Sequence, residues 1–259
     1  MRQRWYRMRK IAIINQKGGS GKTTTTVNLA ASLAEKKRKV LVLDLDPQAS
    51  TTMWFNCPTD TKSLLAVFIE NTPIDSVILK TATKAIDVIP SSSWLIGLEK
   101  ALAHEVGAET ILKHKLQALP EKWDYVLIDC PPTLGILTVN ALSAVDEVMV
   151  PVEARIMALS GLVQLLQTVE IIKKRLNPAL KISGILPCRV DVRTKHSREV
   201  VEELRTNFKE LVYKTAIREN IRLSEAPSFS QPITAYAPDS SGTYDYRMLA
   251  DEVIKQEQI

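Results

Sequence analysis

The sequence predicts a doubly wound α/β fold, in which a mostly parallel sheet carries helices on both faces. Short apolar runs alternate with segments of helical length and composition along most of the 259-residue chain. Near-continuous apolar strands are typical of parallel sheets that are covered on both faces. The chain has no Gly-, Pro- or Ser-rich linker and no internal repeat, so we expect one main domain.

Six strands are expected because each is a short, mainly apolar run bounded by polar or turn residues. They are residues 11–14, 40–43, 86–89, 125–128, 148–150 and 181–186. The segments between and after them are helical in composition, and in the first one Val27, Ala30 and Ala34 recur at helical spacing. Helices are therefore expected at residues 23–36, 95–119, 159–176, 199–208 and 244–258. Residues 56–83 give no clear pattern.

The composition excludes several classes of protein. With 45% hydrophobic and 24% charged residues, the chain is globular rather than disordered or fibrous. No apolar stretch approaches the roughly 18 residues of a membrane span, and no signal-peptide core is present. Cys57, Cys130 and Cys188 are widely spaced, which argues against a disulfide framework and against a paired-cysteine metal site. We therefore expect a cytoplasmic protein, with Cys130 as a small buried residue.

The net charge of +5 comes from the first ten residues, which hold five basic side chains and no acidic one. The rest of the chain carries 29 basic and 29 acidic residues and is neutral. We expect residues 1–10 to form a basic arm and residues 11–259 to form the domain. An arm that also carries Trp5 and Tyr6 could contact nucleic acid or anionic lipid, or it could be a solvated leader.

A phosphate-binding loop is the most specific motif. Residues 16–24 are QKGGSGKTT, and they lie between a predicted strand and a predicted helix. The first glycine of the pattern GxxxxGK[ST] is replaced by Gln16, but the Gly21-Lys22-Thr23 core is intact. Glycines let backbone amides surround phosphate oxygens, and the helix directs its positive end at the anion. The expected nucleotide-binding residues of the loop are Gly18, Gly19, Ser20, Gly21, Lys22, Thr23 and Thr24, whereas the chemistry of Lys17 alone would also fit an ordinary surface lysine.

Acidic residues follow two of the predicted strands. Asp44 and Asp46 end the run at 40–43, and Asp129 ends the run at 125–128. Ligands bind at this carboxyl edge in parallel sheets, where a carboxylate can orient a water molecule or hold Mg²⁺. The Thr23 hydroxyl and the Asp129 carboxylate are the expected Mg²⁺ partners, beside a lysine, Lys22, that contacts the β- and γ-phosphates.

Four motifs together resemble the ParA/MinD family of partitioning and positioning ATPases, which carry a deviant Walker A P-loop. They are KGGSGKT at 17–23, DLDPQ at 44–48, the strand ending DCPP at 129–132, and RLSEAPS at 222–228, which is similar to Soj-type ParA proteins. The resemblance implies a P-loop ATPase that uses ATP and Mg²⁺ with a weak basal rate. It further implies that Lys17 reaches the partner's phosphates in an ATP-bound homodimer. In addition to Lys17 and Lys22, Asp46 would act in catalysis by positioning water, and Asp44 would support the metal together with Thr23 and Asp129.

The branch of the family is indicated by what the chain carries outside these motifs. Its C-terminal segment lacks the basic face and large apolar anchors of a membrane helix, so no membrane partner is expected. The resemblance to the ParA branch implies non-specific DNA binding in the ATP-bound state. Residues 181–222, with ten basic and six acidic residues, would provide the surface for it or would form an ordinary solvated face. The candidate DNA contacts are Arg189, Arg193, Arg218 and Arg222. Glu219 stands where Soj-like proteins often carry arginine, which puts that contact in doubt.

The sequence as a whole therefore predicts an ATPase that binds double-stranded DNA in its ATP-bound state and associates with the nucleoid. With a ParB-like activator it would segregate or position plasmid or chromosomal DNA. One alternative is the same ATPase moving a protein cargo, such as a chemotaxis array or a microcompartment. A second alternative, in another class, is a metabolic P-loop phosphotransferase or synthetase.

Overall fold

A computed structural model describes residues 8–60, 63–155 and 158–258. Seven strands form one sheet in the order β3-β4-β2-β5-β1-β6-β7, and all neighbours are parallel except the antiparallel β3 and β4. The strands are β1 (Arg9–Ile13), β2 (Val40–Asp44), β3 (Leu79–Lys80), β4 (Ile86–Ile89), β5 (Tyr125–Asp129), β6 (Glu147–Glu153) and β7 (Lys181–Cys188). The doubly wound α/β prediction is confirmed.

Eleven α-helices lie in the described part of the chain, together with several short 3₁₀ turns. They are α1 (Lys22–Glu35), α2 (Ser50–Trp54), α3 (Ser63–Ile69), α4 (Leu98–Leu102), α5 (Ile111–Gln117), α6 (Ile136–Ala144), α7 (Ala158–Arg175), α8 (Lys195–Phe208), α9 (Ile221–Glu225), α10 (Ile233–Tyr236) and α11 (Ser241–Lys255). Over the described residues, no helix is both long and apolar enough to cross a membrane.

The structure departs from the predicted elements at several points, two of which concern the helix at 95–119 and the basic arm. The helix expected at 95–119 is divided into α4 and α5, and Gly107, whose left-handed φ of 79° does not occur within an α-helix, lies in the connection between them. The predicted boundary of the basic arm is also wrong by two residues, because β1 begins at Arg9 and not at residue 11. Arg9 and Lys10 lie in β1, whereas Arg2, Arg4 and Arg7 fall outside the described residues.

Two hydrophobic cores cover the two faces of the sheet, as the alternation of side chains along β1 illustrates. Ile11 and Ile13 pack with α1 and α11 on one face, whereas Ala12 belongs to the core that α5, α6 and α7 cover on the other. Both cores are built from residues with almost no exposed surface. This packing makes the sheet a rigid platform for the loops that leave its carboxyl edge.

Three of those loops meet at one point of the edge. Asp129, the last residue of β5, is the register partner of Ile13 in β1 and of Asp44 in β2. The sheet order continues from β1 to β6 on the other side, so β1 stands where the order of connection reverses. Such a reversal opens a crevice for ligands at the carboxyl ends of the strands.

Candidate nucleotide site

The phosphate loop joins β1 to α1 through two glycines in left-handed conformations. Gly19 has a φ of 72° and Gly21 a φ of 95°, values that other residues adopt only with strain. Gly21 is also the N-cap of α1, and because it has no side chain it donates no capping oxygen to the first amides of the helix. Because these amides have no partner within the helix and carry its positive dipole, they form an anion site.

Lys22 supplies a full positive charge beside those amides. The side chain is largely buried, and its Nζ lies 3.5 Å from the carbonyl oxygen of Lys17. Burial lowers the pKa of Lys22, although the carboxylates of Asp129 and Asp46 act in the opposite direction. Keeping a buried ammonium charged costs free energy unless an anion approaches, so Lys22 favours a bound phosphate.

Asp129 presents a buried oxygen that lacks a partner. Its Oδ2 accepts 2.7 Å hydrogen bonds from the hydroxyls of Thr23 and Thr51, while Oδ1 has no hydrogen-bond partner among the described residues. A buried carboxylate oxygen in this state is costly, and a hard divalent cation would satisfy it. The described residues contain no cluster of three or more His, Cys, Asp or Glu residues that could hold a metal alone. Further oxygen ligands would have to come from phosphates and water.

Asp44 lies beside Asp129 but is occupied by protein hydrogen bonds. Its Oδ2 accepts from the amide and the hydroxyl of Thr52, at 2.8 and 2.7 Å, and its Oδ1 accepts from the amide of Asp46 at 3.1 Å. Burial raises the pKa values of both Asp44 and Asp129, and repulsion from Asp129 adds to the rise at Asp44. In this structure Asp44 therefore fixes the loop that carries Asp46, and its role in supporting the metal stays a prediction.

Asp46 is half-buried and faces the same cavity as Lys22 and Thr23. Its Oδ1 accepts the amide of Gln48 at 3.0 Å, and its carbonyl oxygen accepts the hydroxyl of Ser91 at 2.6 Å. The first bond holds the carboxylate and the second holds the backbone of Asp46, while the side chain stays only half-buried. A carboxylate held in this way can bind and align a water molecule near a phosphate.

Lys17 and Ser20 complete the loop but do not line the cavity. The Nζ of Lys17 lies 3.0 Å from Glu153 Oε2, at the end of β6. The hydroxyl of Ser20 is fully buried and has no hydrogen-bond partner in the described part of the chain. The structure thus brings Lys22, Thr23, Asp46 and Asp129 together, while Lys17 is held to one side.

The cavity has a volume of about 760 Å³, and half of its wall comes from a distant part of the chain. Lining residues that the sequence analysis did not assign to the site are Gln48, Ser50, Pro132, Cys188, Ile217, Asn220, Ile221, Leu223, Ser224, Pro227 and Tyr246. Three of them, Leu223, Ser224 and Pro227, belong to the RLSEAPS segment. The similarity of that segment to Soj-type proteins is the sequence signal that could have assigned them to the site. Cys130 is buried, as expected, and all three cysteines are free.

The four candidate DNA-binding arginines all pair with carboxylates. Arg189 lies near Glu153 and Glu219, and Arg218 donates to Asp245 at distances between 2.6 and 3.1 Å. Arg189, Arg218 and Glu219 also line the cavity, which places them on the side of the phosphate loop.

The other two arginines are more accessible. Arg193 pairs with Asp191 and is 84% exposed, whereas Arg222 pairs with Glu225 and is 56% exposed. Exposed ion pairs are weak, so these two guanidiniums can exchange a carboxylate for a phosphate at small cost.

Comparisons with known proteins agree with this geometry. A family model described as an AAA domain matches residues 8–182. The sporulation initiation inhibitor protein Soj of Bacillus subtilis is 44% identical over 245 residues, which cover 94% of this chain and 97% of that protein. The chromosome partitioning protein ParA of Caulobacter vibrioides is 40% identical over 255 residues, covering 97% and 96% of the two chains.

Two solved structures extend the similarity to three dimensions. Cobyrinic acid a,c-diamide synthase of Mycobacterium smegmatis, crystallised with ADP and magnesium, is 33% identical with a TM-score of 0.86, covering 97% of this chain and 96% of that one. A putative plasmid partition protein of Borrelia burgdorferi, bound to AMPPNP, is 26% identical with a TM-score of 0.82, covering 96% and 100%. From its near-complete match to Soj and ParA, the chain belongs to the ParA/Soj family of partitioning ATPases.

Proposed function

We propose that this protein dimerises when it binds ATP, holds non-specific double-stranded DNA in that state, and positions plasmid or chromosomal DNA. The observation that carries the nucleotide-binding step is the unpartnered Oδ1 of Asp129, which lies on a carboxylate bonded to Thr23 and near the buried ammonium of Lys22. A buried anion site and a buried cation site side by side match a magnesium-bound triphosphate.

ATP and Mg²⁺ fit the residues present. Lys22 and the first amides of α1 would hold the phosphates, while the Thr23 hydroxyl and Asp129 Oδ1 would face the metal. When bound, Mg²⁺ neutralises charge that develops on the phosphate oxygens. Asp46 would hold and orient the attacking water, and Asp44 would keep the Asp46 loop in place through Thr52. We expect a weak basal rate of hydrolysis, as the resemblance to partitioning ATPases implies.

Lys17 would supply the dimer contact. It belongs to the phosphate loop but points away from its own cavity toward Glu153, and its side chain is 46% exposed. A lysine in that position is available to the phosphates of a second copy. ATP would then act as a bridge between two chains, and each chain would complete the other's site.

DNA contact would follow from dimerisation. Arg193 and Arg222 are the accessible candidates, and Arg189 and Arg218 would join them if the cavity rearranges on closure. Each phosphate contact is weak alone, so doubling the basic surface in a dimer raises affinity steeply. A ParB-like activator would stimulate hydrolysis and release the protein from the nucleoid. The proposed cycle therefore runs between the nucleoid and the surrounding cytoplasm.

The proposal is tested by co-sedimenting the Asp46→Ala variant with random-sequence DNA, in ATP and in ADP, at two salt concentrations. Binding in ATP alone that weakens at higher salt is the expected result, because counterion release drives phosphate contacts. Equal binding in ATP and ADP, or none in either, contradicts the proposal. Lys22→Ala is the matched control, since it should remove the response to ATP.

A second candidate is a metabolic synthetase, favoured by the structural similarity to cobyrinic acid a,c-diamide synthase of Mycobacterium smegmatis. That function requires ATP consumption that depends on a small-molecule acceptor and is indifferent to DNA. Steady-state hydrolysis measured with and without DNA separates the two. A third outcome is that the protein binds DNA in ATP but no DNA-bound partner protein stimulates its turnover. That outcome would favour a protein cargo moved by the same ATPase.

A further inference from the structure

Glu153 is a buried carboxylate that meets three cations at the carboxyl end of β6. Its side chain is only 4% exposed. Its Oε2 lies 3.0 Å from Lys17 Nζ, and its Oε1 lies 2.9 Å from Arg155 Nε and 3.1 Å from Arg189 NH1. We refer to these four residues as the Glu153 cluster. Nothing in the hydrolysis mechanism above uses it, yet it holds the loop lysine proposed to contact a partner's phosphates.

The three cations are not equivalent. Lys17 donates a hydrogen bond to Oε2, whereas Oε1 receives no hydrogen bond from the described residues, although two guanidinium nitrogens are close. Arg155 and Arg189 therefore supply charge without aligned N–H groups. Lys17 is therefore the hydrogen-bonded partner of the Glu153 carboxylate, and the two arginines are additional nearby positive charges.

The two arginines lower the free-energy cost of moving Lys17 away from the buried Glu153 carboxylate. Removing the partner of a buried carboxylate is strongly destabilising when the charge is left alone. At Glu153 two arginines stay within ion-pair distance after Lys17 leaves, and Arg155 and Arg189 are 64% and 47% exposed, so they can turn to make aligned bonds. The carboxylate can exchange one partner for another and remain compensated.

We propose that Glu153 is a positioning residue that competes with phosphate for Lys17 and so sets the nucleotide threshold for dimerisation. The inference rests on the proposed function of Lys17. Without a triphosphate, Glu153 holds the ammonium beside β6. A partner's triphosphate carries more negative charge than one carboxylate, so it draws Lys17 away, and Arg155 and Arg189 then neutralise Glu153.

The same exchange reaches a candidate DNA contact. Arg189 bridges Glu153 and, at 3.9 Å, Glu219 on the cavity wall. When Lys17 leaves, Arg189 becomes a main counter-ion of Glu153 and is drawn toward β6. The position of this arginine is therefore tied to the occupancy of the phosphate site.

The matched control lies on the same strand. Glu147 begins β6, is as buried as Glu153, and pairs with Arg9 and Lys181 at the opposite edge of the sheet. Glu147→Gln therefore removes an equivalent buried charge far from the phosphate loop. Glu153→Asp retains the charge but withdraws it by one methylene, which guards against a Glu153→Gln variant that fails to fold.

Two measurements on the full chain test the inference. The first is the rate at which an amine-acylating reagent modifies Lys17 in nucleotide-free protein, relative to exposed Lys37, by mass spectrometry. The second is the protein concentration at half-dimerisation in ATP and Mg²⁺, by analytical ultracentrifugation. Glu153→Gln should raise the Lys17 rate and lower the dimerisation midpoint by about two- to fivefold, the range of a partly exposed ion pair. Glu153→Asp should act in the same direction, and Glu147→Gln should change neither.

Two outcomes overturn the inference. The first is an unchanged Lys17 rate in both Glu153 variants, and the second is a raised rate with an unchanged or higher dimerisation midpoint. If the wild-type protein itself does not dimerise in ATP, the proposed function fails and the inference falls with it. That failure is distinct from one in which the wild type dimerises and the Glu153 variants dimerise identically.

Discussion

The hydroxyl of Thr51 donates a 2.7 Å hydrogen bond to Asp129 Oδ2, although the two residues are 78 positions apart. Thr23 shares the same oxygen at the same distance, so both threonines hold one side of the carboxylate and leave Oδ1 open. The orientation of the candidate metal ligand is thus set by two hydroxyls from different loops. Substituting Thr51 would turn Asp129 without removing it.

Replacing Lys22 with alanine should strongly weaken nucleotide binding without unfolding the protein. Loss of a charged contact to phosphate predicts a fall in ATP affinity of about 30- to 100-fold, or about 2–3 kcal/mol. Because burial already opposes the charge of Lys22, the nucleotide-free variant should be no less stable than the wild type. Calorimetric titration with ATP checks the first point and thermal unfolding the second. Exposed Lys37→Ala is the control, and equal losses in both variants would refute the assignment.

The stability of the nucleotide-free protein should fall as the pH rises above the ordinary carboxyl range. Asp44 and Asp129 have raised pKa values because they are buried side by side. The folded protein then keeps protons that the unfolded chain has released above about pH 4, so raising the pH through this window destabilises the fold.

The pH effect can be assigned by variation of one carboxylate. Asp129→Asn should flatten the decline in melting temperature between pH 5 and pH 8, since no second charge then repels Asp44. Adding Mg²⁺ and a non-hydrolysable ATP analogue should flatten it in the wild type. An identical slope in wild type and Asp129→Asn would show that other groups cause the dependence.

Asp46→Ala should stop hydrolysis while leaving ATP bound. A residue that positions the attacking water accounts for about 10²- to 10⁴-fold in rate, so turnover should fall at least a hundredfold. ATP affinity should change little, because Asp46 does not hold the phosphates. Phosphate release and nucleotide binding are measured on the same sample, with the exposed Asp75→Ala as control. A variant with near-normal turnover would mean that another group aligns the water.

Arg193→Ala and Arg222→Ala should each weaken binding to DNA of any sequence and reduce its salt dependence. One lost phosphate contact lowers the slope of log affinity against log salt by about one for each arginine removed. Both side chains are exposed and singly paired, so folding should be unaffected. Fluorescence anisotropy with a random duplex in ATP provides the measurement. Lys84→Ala, near the antiparallel edge of the sheet, should leave the slope unchanged.

Arg9→Ala should destabilise the fold, because it removes the main partner of a buried carboxylate. The guanidinium of Arg9 lies 2.6 Å from Glu147, whose side chain is 5% exposed, and Lys181 is 3.9 Å away. Breaking a buried pair costs about 3–5 kcal/mol, and the remaining lysine should reduce this to about 2–4 kcal/mol. Urea unfolding checks the value. Lys173→Ala breaks an exposed pair at 4.0 Å and should change stability by less than about 0.5 kcal/mol.

The strands were largely predictable, and the short helices were not. Residues 86–89 and 40–43 are mainly apolar runs, and exposing them to water would cost free energy. They are buried in the sheet, where they form β4 and most of β2. By contrast, α2 and α9 have five residues each, too few for a periodic pattern to show. Their positions depend on packing against the cavity wall rather than on their own composition.

The phosphate loop could be read from the amino-acid sequence alone, because its chemistry is local. From Lys17 to Thr24 the glycines, the lysine and the start of α1 are covalently adjacent, so the anion site follows from backbone conformation alone. The partner of each charged side chain, by contrast, depends on tertiary contacts. Lys17 meets Glu153 from 136 positions away, and Asp44 turns both oxygens to the protein. These contacts form only when distant strands pair in the sheet and bury charged groups together. Local sequence does not specify which groups then meet.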